Sequence, residues 1–213
     1  MEKIIPYSSL VHVLVLECGE PLVACNEVQE ILWQYKKDDM KPYLGDLMLL
    51  RKGALQRLRK AARLLNRLRP GAQLSVAYAY RLLLIQEQYF WNQFKKFREQ
   101  YPNESELEIR ERTHMFCASP DVAGHPTGGA VDLTIVGLDM GSEIADFSSS
   151  LIRTFHPDLT TQQRKNRALL RRVMMKAGFA PFDGEWWHFS FGDREWAAYY
   201  GKPCAIYSQI DYH

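Results

Sequence analysis

The sequence predicts an α+β fold in which helices flank a small antiparallel or mixed sheet. Three observations lead there. Helix-period apolar runs dominate the first part of the chain, and short β-branched or aromatic runs are interleaved with helices later. Their spacing is irregular, without the alternation of βαβ units. No internal repeat or low-complexity linker divides the chain, so residues 1–213 are expected to form a single domain. A content of 46% hydrophobic and 24% charged residues suits a packed core and excludes a disordered chain.

Between Leu47 and Gln86 there is no acidic residue, and eight basic residues fall within Arg51 to Arg69. In that span Leu55, Leu58, Ala62, Leu65 and Leu68 recur at helical steps, and Arg69-Pro70-Gly71 ends the run. Two readings are open: a basic recognition helix for nucleic acid, or a surface helix with solvated cationic side chains. The second is favoured because 27 basic against 25 acidic residues leave a net charge of only +2. Gln73 to Tyr80 reads as a strand. A long helix follows, carrying Ile85, Tyr89, Phe94, Phe97 and Tyr101 as far as Pro102, and Glu104 to Arg112 reads as a short one. Ala130 to Val136 is a strand. Thr160 and Gln163 form a capping-box pattern for a helix that runs to Gly178. Trp186 to Phe191 reads as a further strand, and Ala205 to Ile210 as an edge strand.

The apolar stretch Leu10 to Leu16 contains His12 and is closed by Glu17, well short of the roughly 20 residues that span a bilayer. The first residues do not resemble the basic start of a secretion signal. Cys18, Cys25, Cys117 and Cys204 are scattered, with no CxxC pair. Together these predict a cytoplasmic protein without disulfides or a cysteine metal site, a periplasmic setting staying open.

The chemistry is concentrated in two segments. Asp132 lies within the strand Ala130 to Val136, on the face of Ala130 and Thr134, where a carboxylate needs a cation or several donors beside it. His125 stands seven residues upstream, and Gly128 and Gly129 between them let the chain bring the imidazole back beside the strand. His188 sits in an aromatic run, with Glu185 just before it. Two histidines and one carboxylate leave a coordination position for water, as in a catalytic zinc site at the sheet, and a nearby glutamate can take that water's proton. The alternative is a chance His-x6-Asp spacing and an ordinary hydrogen-bonded histidine. His12, His114, His156 and His213 lack this context and read as surface or satisfied histidines.

The run Gly124-His125-Pro126-Thr127-Gly128-Gly129-Ala130-Val131-Asp132-Leu133-Thr134, followed by Glu185-Trp186-Trp187-His188-Phe189, resembles the zinc D-alanyl-D-alanine dipeptidases of the VanX type. That family shares a fold with D,D-carboxypeptidases of peptidoglycan metabolism and with the hedgehog signalling domain. Its pattern, S-x-H-x-x-G-x-A-x-D and then E-x-W-H, falls on His125, Gly128, Ala130, Asp132, Glu185, Trp187 and His188. The helix with Asn166-Arg167, Met174 and Gly178-Phe179 is also similar, and Ala79-Tyr80-Arg81 resembles the family's Gly-Tyr-Arg. The resemblance spans roughly residues 40–200. It implies one zinc ion per chain, held by His125, Asp132 and His188, with Glu185 as general base and Arg81 holding the developing oxyanion. On residue physics alone Arg81 would read as a surface arginine.

Three positions depart from the family. Ala123 stands where it has a serine, Leu82 where it usually has proline, and the segment from Gly137 to Asp146 is short. Asp146 is the nearest match to the family's amine-binding aspartate, with Asp139 and Glu143 as rivals. The implied activity is cleavage of D-alanyl-D-alanine, a small dipeptide, with neither nucleic acid nor membrane as partner. The rivals are a carboxypeptidase or endopeptidase of the same fold acting on longer peptidoglycan peptides, and a non-catalytic zinc-binding module.

Overall fold

The computed structural model describes residues 2–212; His213 lies outside them. The elements in chain order are α1 (Tyr7–Leu10), β1 (Leu22–Ala24), β2 (Ile31–Trp33), α2 (Lys41–Leu44), β3 (Leu49–Arg51), α3 (Lys52–Leu68), β4 (Leu74–Tyr78) and α4 (Leu83–Gln100). After them come α5 (Glu106–His114), β5 (Ala130–Ile135), α6 (Thr161–Ala177), β6 (Ala180–Pro181), β7 (His188–Ser190) and α7 (Arg194–Tyr200). A five-stranded sheet has the order β2-β4-β5-β7-β6, and β1 pairs with β3 in a separate ribbon. Only the β2–β4 pair is parallel, so the sheet is mixed and the α+β expectation holds.

Alternation along β5 sorts its two faces. Val131, Leu133 and Ile135 join Leu58, Ala61 and Leu65 of α3 and Leu170, Val173 and Met174 of α6 in the main core. Asp132 therefore points to the other face. The basic stretch is the surface helix: α3 buries Ala54, Leu58, Ala61, Ala62 and Leu65 and leaves Lys52, Arg59, Lys60, Arg63 and Arg67 outward, while half-buried Arg57 stacks on Phe191 and Leu68 sits at the exposed end. Helix α6 begins with the expected box, Thr160 and Gln163 capping each other, and stops at Gly178 in the left-handed conformation.

Two expectations need correction. Trp186 and Trp187 precede the strand, because hydrogen bonds from Glu185 N to Phe182 O and from His188 N to Glu185 O hold them in turns; only His188 to Ser190 pair in the sheet. Ala205 to Ile210 is not an edge strand: it makes an isolated parallel bridge, Val15 to Ala205, with the N-terminal segment. All four cysteines are free, and no described helix is long and apolar enough to cross a membrane.

A buried arginine ties these outer segments to the sheet. Arg51 donates from Nε to Thr127 O at 2.9 Å, from its terminal nitrogens to the Glu17 carboxylate and Ser208 O, and also to Glu20 O. It is 2% exposed; if the guanidinium goes, the carbonyls of Thr127, Glu20 and Ser208 lose this donor, and Glu17 loses its ion pair while keeping the donors of Gly19 and Ser208. Arg51→Met is expected to cost about 3–5 kcal/mol, the range for breaking a buried ion pair, visible as a lowered midpoint in urea.

Candidate active site

Register places the chemistry. Across β5 and β7, Asp132 stands directly opposite His188, so both side chains leave the sheet on the same face. On the other side, β4 carries an extra residue between Val76 and Tyr78, which brings Tyr78 opposite Asp132 in place of Ala77. This bulge turns the tyrosine ring from the core face to the site face. His125 arrives from a single 3-10 turn, His125–Thr127, closed by Gly128 at φ 71° with its N–H on His125 O. A left-handed residue is needed there for the chain to re-enter β5 at once, which explains the glycine.

Three ligand atoms converge. His125 Nε2 lies 3.3 Å from Asp132 Oδ2, His188 Nδ1 lies 3.0 Å from Asp132 Oδ1, and the imidazole centroids are 4.9 Å apart. The ligand atoms all fall within 4.8 Å of one another. An ion with tetrahedral bonds of about 2.0–2.1 Å holds its ligands roughly 3.3–3.4 Å apart, so the trio fits a metal of zinc's size. His125 is already oriented: its Nδ1–H donates to Ala79 O at 2.6 Å, leaving the Nε2 lone pair for an ion. Metal-free, the cluster is an ion pair. Burial raises the Asp132 carboxyl, but the two imidazoles outweigh it and hold it far below the usual carboxylate range. Burial lowers His188, yet the hydrogen bond and charge of Asp132 win and raise it to about 9.

A metal must therefore displace a proton from His188. At pH 7 its binding should release about one proton, and the apparent affinity should climb roughly tenfold per pH unit towards pH 9. Calorimetry in buffers of different ionisation enthalpy checks this; uptake with no proton release would contradict the pairing.

Glu185 lines the same cavity, of about 280 Å³. It is not in the ligand cluster. Burial, and after it the charge of Asp132, push its carboxyl up to about 7, so it can exchange a proton near neutrality. Arg81 follows β4 and is anchored by its backbone N–H on His125 O. Its Nη1 donates to Gln86 Oε1 at 2.6 Å, its guanidinium lies 4.5 Å from the Tyr78 ring centroid, and its buried Nε has no partner among the described residues. A free, desolvated N–H in a cavity is available to an anion.

The carboxylate expected to hold the substrate amine is not brought to the cavity. Asp146 accepts from the N–H and hydroxyl of Ser148 and faces outward, while Ile144, Ala145 and Phe147 line the wall. Ala145, at φ 60°, stands in the turn where Ile144 and Phe147 line the wall and Asp146 does not. Neither rival replaces it: Asp139 binds Gly141 N and Gln163 Nε2, and Glu143 is exposed beside Lys36. Ala123 does line the cavity, as a serine at its position would. His114 is buried and accepts from Ser119 N, so the satisfied reading holds for it. Residue reasoning missed Tyr78, Gln86, Tyr89, Cys117, Asp193 and Glu195, all on the cavity wall. The one local signal was Gln86, in the first turn after Arg81.

The profile of the D-Ala-D-Ala dipeptidase family matches residues 42–206, the greater part of the chain. The chain belongs to that family. Its membership makes it a metallopeptidase. A D-alanyl-D-alanine dipeptidase of Synechocystis sp. is 28% identical over 243 aligned positions, covering 98% of this chain and 96% of the relative. The Escherichia coli enzyme of that name is 35% identical over 72 residues, 32% of this chain and 37% of the relative. Among solved structures, the LD-carboxypeptidase LdcB superposes with a TM-score of 0.50 at 17% identity, over 85% of this chain and 72% of that one. This last likeness concerns the fold.

Proposed function

We propose that this family member hydrolyses D-alanyl-D-alanine with zinc held by His125, Asp132 and His188. The convergence of those three ligand atoms beside a buried glutamate is the observation that carries the reading. Bound zinc supplies a water acidified to a pKa of about 7 and polarises the scissile carbonyl.

The remaining work falls to side chains. Glu185 accepts the proton of the attacking water on its carboxylate and delivers it to the nitrogen of the leaving D-alanine. Arg81, with a buried N–H free, holds the negative charge that develops on the carbonyl oxygen. Gln86 fixes the guanidinium from behind. Both side chains are largely desolvated by burial, which strengthens their interactions. We read residues 1–213 as one catalytic unit acting on a small zwitterion, consistent with the chain's near-neutral charge.

The test is release of D-alanine from the dipeptide by zinc-loaded protein, lost with chelator and restored by zinc. A zinc-replete protein that leaves the dipeptide intact while trimming a pentapeptide stem would make it a carboxypeptidase. One that cleaves neither would make it a binding module.

A further inference from the structure

Two carboxylates of the cavity have no part in the metal cluster or in the Glu185 chemistry. Asp193 and Glu195, at the start of α7, both line the wall and are 1% and 9% exposed. Asp193 Oδ1 accepts from Ser190 Oγ and Trp196 N, each at 2.8 Å. Its Oδ2, like Oε1 of Glu195, is buried with no partner among the described residues. The Asp193 carboxylate rests directly on the chain before His125: a Cβ at Gly124 would fall 2.2 Å from Oδ2, so only glycine allows the approach.

The neighbouring cations have other partners, and His188, whose charge reaches both carboxyls, is hydrogen-bonded to Asp132. The Arg194 guanidinium is spent on the carbonyls of Leu10, Val11 and Val13, and the Lys3 ammonium on Tyr199 O. Buried carboxylate oxygens without donors are costly, and their presence on a cavity wall calls for a cationic donor from outside. Burial raises both carboxyls, Glu195 to about 8 with the charge of Asp193 adding to the effect.

The cavity wall carries cations as well as carboxylates. Lys36, Lys37 and Arg81 line it, and Lys37 sits over Tyr89 and Phe147. Leu10 and Val122 pack together at the part walled by α7. A peptide that carries both a carboxylate and an ammonium matches a wall that bears both charges.

We propose that Asp193 and Glu195 form an ammonium-accepting subsite of the cavity that takes a primary ammonium group of the bound peptide. The inference rests on the reading of the cavity as a peptide site. The ammonium comes either from the free α-amino group or from a basic side chain on the C-terminal residue. In the first case these two residues do what Asp146, turned outward, does not.

Two matched peptide pairs distinguish the sources, measured by calorimetry on zinc-loaded Glu185→Gln protein, where turnover is suppressed. D-Ala-D-Ala against its N-acetyl form reports the α-ammonium. D-Ala-D-Lys against D-Ala-D-norleucine reports the side chain. In at least one pair the ammonium peptide should bind about tenfold tighter or more, the size of a charge-assisted hydrogen bond. Adding Glu195→Gln or Asp193→Asn should erase that preference and leave the uncharged peptide's affinity unchanged. Asparagine retains the cap on Trp196 N, and unfolding midpoints verify that both variants fold. No preference in either pair, or a preference that survives both substitutions, overturns the proposal. Failure of the dipeptidase reading appears separately, as a zinc-loaded native protein that leaves D-Ala-D-Ala intact.

Discussion

Glu185→Gln lowers kcat for D-Ala-D-Ala by about 100- to 10,000-fold, the span of a lost general acid–base. Zinc content stays the same, because the carboxylate is outside the ligand cluster. Glutamine keeps the shape and much of the polarity, so KM moves far less than kcat. The pH profile adds a second readout. Burial and the Asp132 charge raise this carboxyl to about 7 in the metal-free cavity, and a bound cation favours its ionised form and draws it down. The base works only when ionised. Activity of the native enzyme therefore falls as pH drops through an acid limb placed below 7, and that limb disappears in the variant. Retention of native kcat would show that another group takes the proton.

Asp132→Asn removes the only anionic ligand and leaves two imidazoles facing a neutral amide. Zinc affinity should fall by more than the 10- to 100-fold typical of losing an outer-sphere partner, with activity lost in parallel. The metal-free protein changes as well. Without the carboxylate, burial dominates at His188 and its raised pKa collapses. The part of the proton release on metal binding at pH 7 that comes from His188 then vanishes along with the affinity. Titration against a competing chelator reads the first effect, and imidazole proton shifts read the second. A variant that holds zinc as tightly as the native protein would remove Asp132 from the ligand set.

The metal trio and Glu185 were legible as candidates because strand alternation and a glycine turn are local. The residues alone left a chance spacing open, and it was the paired motifs' resemblance to the dipeptidases that assigned the roles. Helix α6 was legible too, its box and terminal glycine being written within its own ends. What stayed hidden depends on distant contacts. The outward direction of Asp146 goes with the left-handed Ala145 and the grip of Ser148, neither of which a motif encodes. Tyr78 reaches the site through a bulge that no residue in β4 announces. Asp193 and Glu195 acquire meaning only once α7 is laid against Gly124. The aromatic run at Trp186 promised a longer strand than the turn hydrogen bonds of Glu185 and His188 permit.

Residues 208–210 lie past the family match, yet they brace the metal site. Ile210 N donates to Pro126 O, its carbonyl accepts from the Tyr80 hydroxyl, and Ser208 O accepts from Arg51, which in turn grips Thr127 O. Pro126 and Thr127 are the rest of the turn that aims His125. A change in this outlying segment thus reaches the imidazole through two short mechanical links. Relatives that diverge there would differ first in how firmly they keep their ion, with the sheet and helices untouched.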